Sequence, residues 1–197
     1  MDKATLALRQ EFPGDWSDDL TALGEKLLVE AEQIYGERDR AWTFLGVQWG
    51  DKNVTWPIDK QRKFACICLH ELLPSHLPDF LPFNLAHEVV HMLCPPDRDN
   101  VTYLEEGVAV SFSLGRSIYG DARYIGEQLK IFEKYPDDKY TVAWKDVGRL
   151  IASEPSVISK LRSQEKSLSC ISAAQIIAVA PNCDKAVAER LASKFSE

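Results

Sequence analysis

A chain of 197 residues with 45% apolar and 27% charged side chains has the composition of a globular protein and the length of one domain, or one domain with a small appendage. No apolar run approaches the ~18 residues of a membrane helix. The first fifteen residues mix both charges without an apolar stretch, so neither a membrane span nor a secretory leader is expected. The net charge of -7 argues against a general binder of nucleic acid or of anionic membranes. It is unevenly spread: residues 1–138 hold 14 Lys+Arg against 24 Asp+Glu, or -10, and residues 139–197 hold 9 against 6, or +3. Five cysteines, an odd number without paired CxxC spacing, suit reduced thiols in a cytoplasmic compartment.

In chain order, Asp18–Gly36 is predicted as an amphipathic helix, with Leu20, Leu23, Leu27, Leu28, Ala31 and Ile34 at helical spacing and Gly36 as its stop. Trp42–Trp49 and Val54–Ile58, separated by the turn residues Gly50-Asp51-Lys52-Asn53, predict a hairpin. Arg62–Leu69 is a third strand, too apolar on both faces for solvent. Pro74, Pro78 and Pro82 mark 72–82 as loop. Phe83–Cys94 is predicted as a largely buried helix opened by Pro82 and ended by Pro95-Pro96. The next helix starts at Thr102, where Thr102-x-x-Glu105 has the form of a capping box, and runs towards Gly115. The remainder is helical with breaks at Pro136, Pro155 and Pro181. Its last helix covers Asp184–Phe195 with Asn182 as cap. Helix, strands, then helices define an α+β chain. The tryptophans at 42, 49 and 56 suit the packed face of the sheet.

The chemistry is concentrated in LAHEVVHMLCPPDRDNVTYLEEGVAVSF, residues 85–112. His87 and His91 are i, i+4 on a helix, so both imidazoles lie on one face and can share a tetrahedral zinc ion. Glu88, about 100° further round the axis, can lean over such a metal without ligating it and take a proton from water. The same spacing also describes the polar stripe of an ordinary amphipathic helix. This composition yields HExxH by accident with probability ~0.006. A third ligand is needed, and Glu106 sits one turn into the next helix, as His91 sits one turn from the end of its own. Two antiparallel helices would bring them to similar heights. Gly107 is expected to let the second helix approach the first. Glu105 is expected to serve the capping box, which leaves Glu106 as the ligand.

LAHEVVH followed by YLEEGVA resembles the gluzincin metallopeptidases, whose pattern is H-E-x-x-H with a downstream Glu, often within [N/E]-E-G-x-A. The resemblance implies a zincin-like core with a small mixed or antiparallel sheet, an active-site helix and a Glu-bearing helix, followed by a mainly helical C-terminal region. It implies His87, His91 and Glu106 as zinc ligands, and Glu88 as general base and later acid. Arg62–Leu69 would be the edge strand that pairs with an extended peptide or protein substrate. The 14 residues between His91 and Glu106 make a compact version of the pattern. The G-x-M-E-N aminopeptidase signature is absent. No His follows His91, so Tyr103, Tyr119 and Tyr124 are the candidates for stabilising an oxyanion. Cys66 and Cys68, on one strand face, and Cys94 are expected to be core thiols, and His70 and His76 surface or cleft-rim residues.

The expected organisation is a catalytic domain over residues 1–138 and a helical extension over 139–197 packing on it. The expected function is a small cytoplasmic zinc peptidase. The alternative is a non-catalytic or regulatory binding module on the same core, docking a partner protein through the C-terminal helices. Glu88, which a retired site often loses, favours the enzyme.

Overall fold

The computed structural model describes residues 3–72, 80–95, 100–115 and 122–195. Helix α1 (Lys3–Arg9) and the short strand β1 (Asp15–Ser17) lead into α2 (Asp18–Tyr35). The boundaries of α2 follow from local chemistry: the Ser17 side chain accepts from the Leu20 N–H, Asp18 and Asp19 occupy the first turn, and Gly36 leaves the helix at φ +90. Its buried stripe, including Leu27, Leu28 and Ala31, packs towards the sheet and the helices beyond it.

Strands β2 (Thr43–Gly50), β3 (Val54–Asp59) and β4 (Phe64–His70) complete a four-stranded sheet of order β1-β2-β4-β3, so the chain is α+β as expected. The predicted hairpin between 42–49 and 54–58 does not form. β4 inserts between those strands, parallel to β2 and antiparallel to β3, and the hairpin is β3–β4, turned at Lys63. The reason lies in β4 itself. Ala65 to Leu69 are all buried, and a strand covered on both faces belongs inside a sheet. The edge-strand role expected of Arg62–Leu69 is therefore corrected: both its sides are paired. The outer strand at that end, among the described residues, is β3.

Behind the sheet, Leu45, Cys66 and Cys68 form a small buried cluster with Phe12, Trp16 and Ile58 around it. The Cys68 thiol alongside and burial raise the Cys66 thiol well above its ordinary pKa, in keeping with core thiols. Trp42 is buried and Trp49 packs against the main core, whereas Trp56 is 46% exposed and belongs to no packed face.

Helix α3 (Phe80–His91) begins three residues before the predicted start, with Pro82 in its first turn. Helix α4 (Tyr103–Gly115) follows. Then come α5 (Ala122–Lys134), α6 (Lys139–Ser153), α7 (Val157–Gln164), a 3₁₀ turn (Leu168–Cys170), α8 (Ala173–Val179) and α9 (Lys185–Leu191). The cap of α9 is Asp184 rather than Asn182: its carboxylate accepts from the Ala186 and Val187 N–H groups. Phe195 lies beyond that helix and donates its N–H to the Val101 carbonyl.

One hydrophobic core runs from Leu27 in α2 through the sheet, α3 and α4 to Leu191 in α9. Gly107 marks the closest crossing within it. A Cβ there would stand 2.4 Å from the Ala143 carbonyl oxygen and 2.6 Å from Val147, so the missing side chain admits α6, not α3 as the sequence suggested. Arg162 on α7 is 2% exposed and uses its guanidinium on main-chain carbonyls alone. Nη1 donates to Tyr35 and Gly36, Nη2 to Glu37 and Leu93, and Nε to Lys166. It thereby ties the end of α2 to the turn that follows α3. No helix among the described residues is long and apolar enough to cross a membrane.

Candidate metal centre

α3 and α4 pack against each other, and their facing turns bring three donors together. His87 Nε2 lies 3.3 Å from His91 Nε2 and 3.1 Å from Glu106 Oε2, and His91 Nε2 lies 3.7 Å from Glu106 Oε1. Tetrahedral zinc with bonds of 2.0–2.1 Å sets its ligand atoms about 3.3 Å apart. The three residues therefore fit a metal ion, and they are the group of His, Cys, Asp and Glu side chains among the described residues that could hold one. A second observation agrees. Glu106 Oε2 is buried, and although His87 Nε2 is near, the pair is not aligned as a hydrogen bond, so this oxygen has no hydrogen-bond partner among the described residues. The predicted ligand set is thus brought to one point.

Glu105 departs from expectation. Its N–H reaches Thr102 Oγ1 at 3.5 Å, half of a capping box, but its carboxylate does not turn back to complete one. It is 3% exposed, and Oε1 lies 2.8 Å from His91 Nδ1 while Oε2 accepts from the Ser169 hydroxyl. A carboxylate on Nδ1 holds the proton there and leaves the Nε2 lone pair facing the other two donors. Ser169, in the 3₁₀ turn, is therefore linked to the centre from 64 residues downstream.

The cluster carries an excess of negative charge around one imidazole. Burial alone would lower the His91 pKa, but the Glu105 hydrogen bond and the charges of Glu106, Glu105 and Glu88 push it up to about 10. Glu106 goes the other way. Burial would raise its pKa, yet the contact with His87 and the charges of His91, His87 and Lys139 hold it below the usual carboxylate range.

Glu88 is 6% exposed and is not one of the three donors. Thr55 on β3 fixes it: Thr55 Oγ1 lies 2.7 Å from the Glu88 carbonyl oxygen and 3.1 Å from Glu88 Oε2. Oε1 has no hydrogen bond among the described residues. Glu88 and, of the three donors, His87 border a cleft of about 660 Å³, into which α3 also turns Phe80, Phe83 and Asn84. The opposite wall comes from α5 and from the start of α6.

Of the tyrosine candidates, the structure places Tyr103 away from the cleft; its ring packs against Phe195 at 4.9 Å. Tyr119 and the side chain of Tyr124 lie outside the described residues, as does His76. Tyr135 and Tyr140 do line it, and the Tyr140 ring stands 6.3 Å from that of His87. Thr141, beside it, is fully buried with its hydroxyl unpartnered among the described residues. Sequence reasoning missed Thr55, Tyr140 and Thr141, because nothing local ties them to a motif on other helices. His70 borders the cleft, as expected of a rim residue, and Cys94 stays outside the donor group.

No known family model matches the chain, and neither curated proteins nor solved structures show significant similarity to it.

The two adjacent glutamates should separate experimentally. Glu105→Ala is expected to weaken metal binding about 10–100-fold, the scale for losing a carboxylate that orients a histidine, and Glu106→Ala is expected to weaken it further still. Competition against a chromophoric chelator at pH 7 measures both. If Glu105→Ala lowers the melting temperature and leaves metal affinity at the wild-type value, Glu105 is a cap after all.

Proposed function

We propose that this protein is a zinc-dependent hydrolase, a compact peptidase with a zincin-like core of the gluzincin type. The observation that carries the reading is the convergence of His87, His91 and Glu106 on one point with Glu88 fixed beside it. His91 is oriented by Glu105, and Glu106 contributes the carboxylate. Zinc held by these residues supplies Lewis acidity, polarising a carbonyl oxygen and lowering the pKa of water to about 7.

The protein's own groups do the rest. Thr55 occupies Glu88 Oε2, so Oε1 is the oxygen that takes a proton from the attacking water. The water oxygen bonds to the peptide carbonyl carbon, the C–N bond breaks, and Glu88 returns the proton to the departing nitrogen. Tyr140, whose ring stands 6.3 Å from that of His87, is the tyrosine we assign to hold the carbonyl oxygen as its charge develops.

Metal removal tests the reading. The purified protein is expected to hold one zinc per chain and to hydrolyse members of a diverse peptide mixture. Activity should disappear with 1,10-phenanthroline and return with one equivalent of zinc, and His87→Ala should hold no stoichiometric metal. Zinc-loaded protein that cleaves nothing in the mixture overturns the peptidase reading, and a His87→Ala protein that keeps one tight zinc overturns the ligand assignment.

A further inference from the structure

We propose that one side of the cleft is a subsite for a carboxylate, so that the site receives a peptide by its free C-terminus and removes one or two residues with a large apolar side chain. The proposal rests on the hydrolase reading above for the cleavage, but the binding it describes stands by itself.

The subsite lies where Lys52 and Asn53, in the β2–β3 turn, and His70, at the end of β4, meet Asn84 of α3. Hydrogen bonds inside this corner engage its side-chain acceptors. Asn84 Oδ1 accepts from Asn53 Nδ2 at 3.1 Å, and Asn53 Oδ1 accepts from the His70 N–H at 2.9 Å. His70 Nδ1 accepts from the Leu72 N–H at 3.1 Å, which puts the proton of the neutral ring on Nε2. Asn84 Nδ2 spends one of its two hydrogens on the Phe80 carbonyl. What remains is a set of donors: His70 Nε2–H, the second N–H of each asparagine, and the Lys52 ammonium. Lys52 has no ion-pair partner among the described residues, and none of the described carboxylates bonds to this corner. In a chain of net charge -7, a cleft corner whose described side chains offer donors and no free acceptor suits an anion.

Position identifies the anion as a C-terminal carboxylate. Asn84 precedes Glu88 by four residues, one helical turn or about 5.4 Å along the axis. An extended peptide advances about 3.3–3.6 Å per residue. A carboxylate in this corner therefore lies one or two residues beyond a bond presented to Glu88. The apolar wall supplies the side-chain preference. Ile131, Phe132 and Tyr135 on and just after α5 face Phe83 of α3, and Ile131 and Tyr135 are 42% and 51% exposed, large apolar groups left for a substrate to cover.

The test uses binding first, on metal-free protein, so that no carboxylate can be held by zinc. N-acetyl-L-phenylalanine, its amide, and a C-terminally amidated phenylalanine peptide whose only carboxylate is an aspartate side chain are titrated and followed by NMR shifts of the cleft residues. The acid is expected to bind about tenfold or more tighter than its amide, the scale of hydrogen bonds to a charged group. The aspartate peptide should bind like the amide. Lys52→Met should erase the preference and Lys52→Arg retain it. Equal binding of acid and amide, no binding of either, or equal binding of the aspartate peptide overturns the proposal. With zinc-loaded protein, released C-terminal residues support it and internal cleavage of amidated peptides at the same rate overturns it. An acid preference without hydrolysis of any peptide leaves the subsite standing and removes the hydrolase reading; hydrolysis without an acid preference does the reverse.

Discussion

Glu88→Gln is expected to keep the fold and the full zinc content while losing ~10²–10⁴-fold in hydrolysis, the usual scale for removing a general base. Glutamine has nearly the same shape and can still meet Thr55, which contacts the carboxylate at Oε2, so the helix and its neighbours are undisturbed. What glutamine lacks is an oxygen basic enough to accept the proton of the attacking water. Steady-state rates on a cleaved peptide, with zinc measured in the same sample, give the answer. A zinc-loaded Glu88→Gln protein within a few-fold of wild type would mean that another group takes the proton. Glu88 would then be a structural carboxylate satisfied by Thr55.

The second large effect concerns stability and centres on α7. Arg162→Met is expected to cost about 3 kcal/mol or more, because five carbonyls in a buried or part-buried place lose this donor and, among the described residues, only that of Leu93 keeps another, the Asp39 N–H. For a chain of this length each kcal/mol lowers the melting temperature by about 2–4 °C, so a fall of about 6 °C or more should be seen by calorimetry. Burial holds the Arg162 pKa below its usual value, yet the charge persists because two helix ends and their carbonyls surround it. Arg162→Lys, with three donors on a flexible stem, should recover only part of the loss. A melting temperature unchanged in Arg162→Met would show that water replaces the guanidinium without cost.

Local chemistry was legible in the sequence, and pairing at a distance was not. The leucine stripe and Gly36 mark α2 because periodicity and caps act within a few residues, and the structure adds Ser17 as its N-cap. His87, Glu88 and His91 are legible for the same reason, and Glu106 because a short connection between helices sets similar heights. The sheet order was hidden. A turn-rich tetrapeptide after Trp49 predicts a hairpin with Val54–Ile58, and only the double burial of β4 reveals that it must lie between them. Glu105 was misread because Thr102-x-x-Glu105 satisfies a local rule, while the His91 imidazole and Ser169 hydroxyl that outcompete it are brought up by the tertiary fold. Gly107 was recognised as a point of close approach, but its partner, Ala143, could not be named. Tyr140 and Thr141 carry no motif; their place at the cleft exists only once α6 has crossed α4.

The link from Ser169 through Glu105 to His91 sets a timetable. Synthesis delivers both histidines and Glu106 early, whereas α6, Arg162 and Ser169 come later, the last of them 64 residues after Glu105. A nascent chain that has emerged only through α4 owns all three ligands but lacks the helix that packs on Gly107, the guanidinium that closes the turn after α3, and the hydroxyl that orients Glu105. Completion of the donor cluster is thus a late event in the life of the polypeptide, coupled to completion of its fold. Ribosomal products that stop short carry the motif without the completed donor cluster.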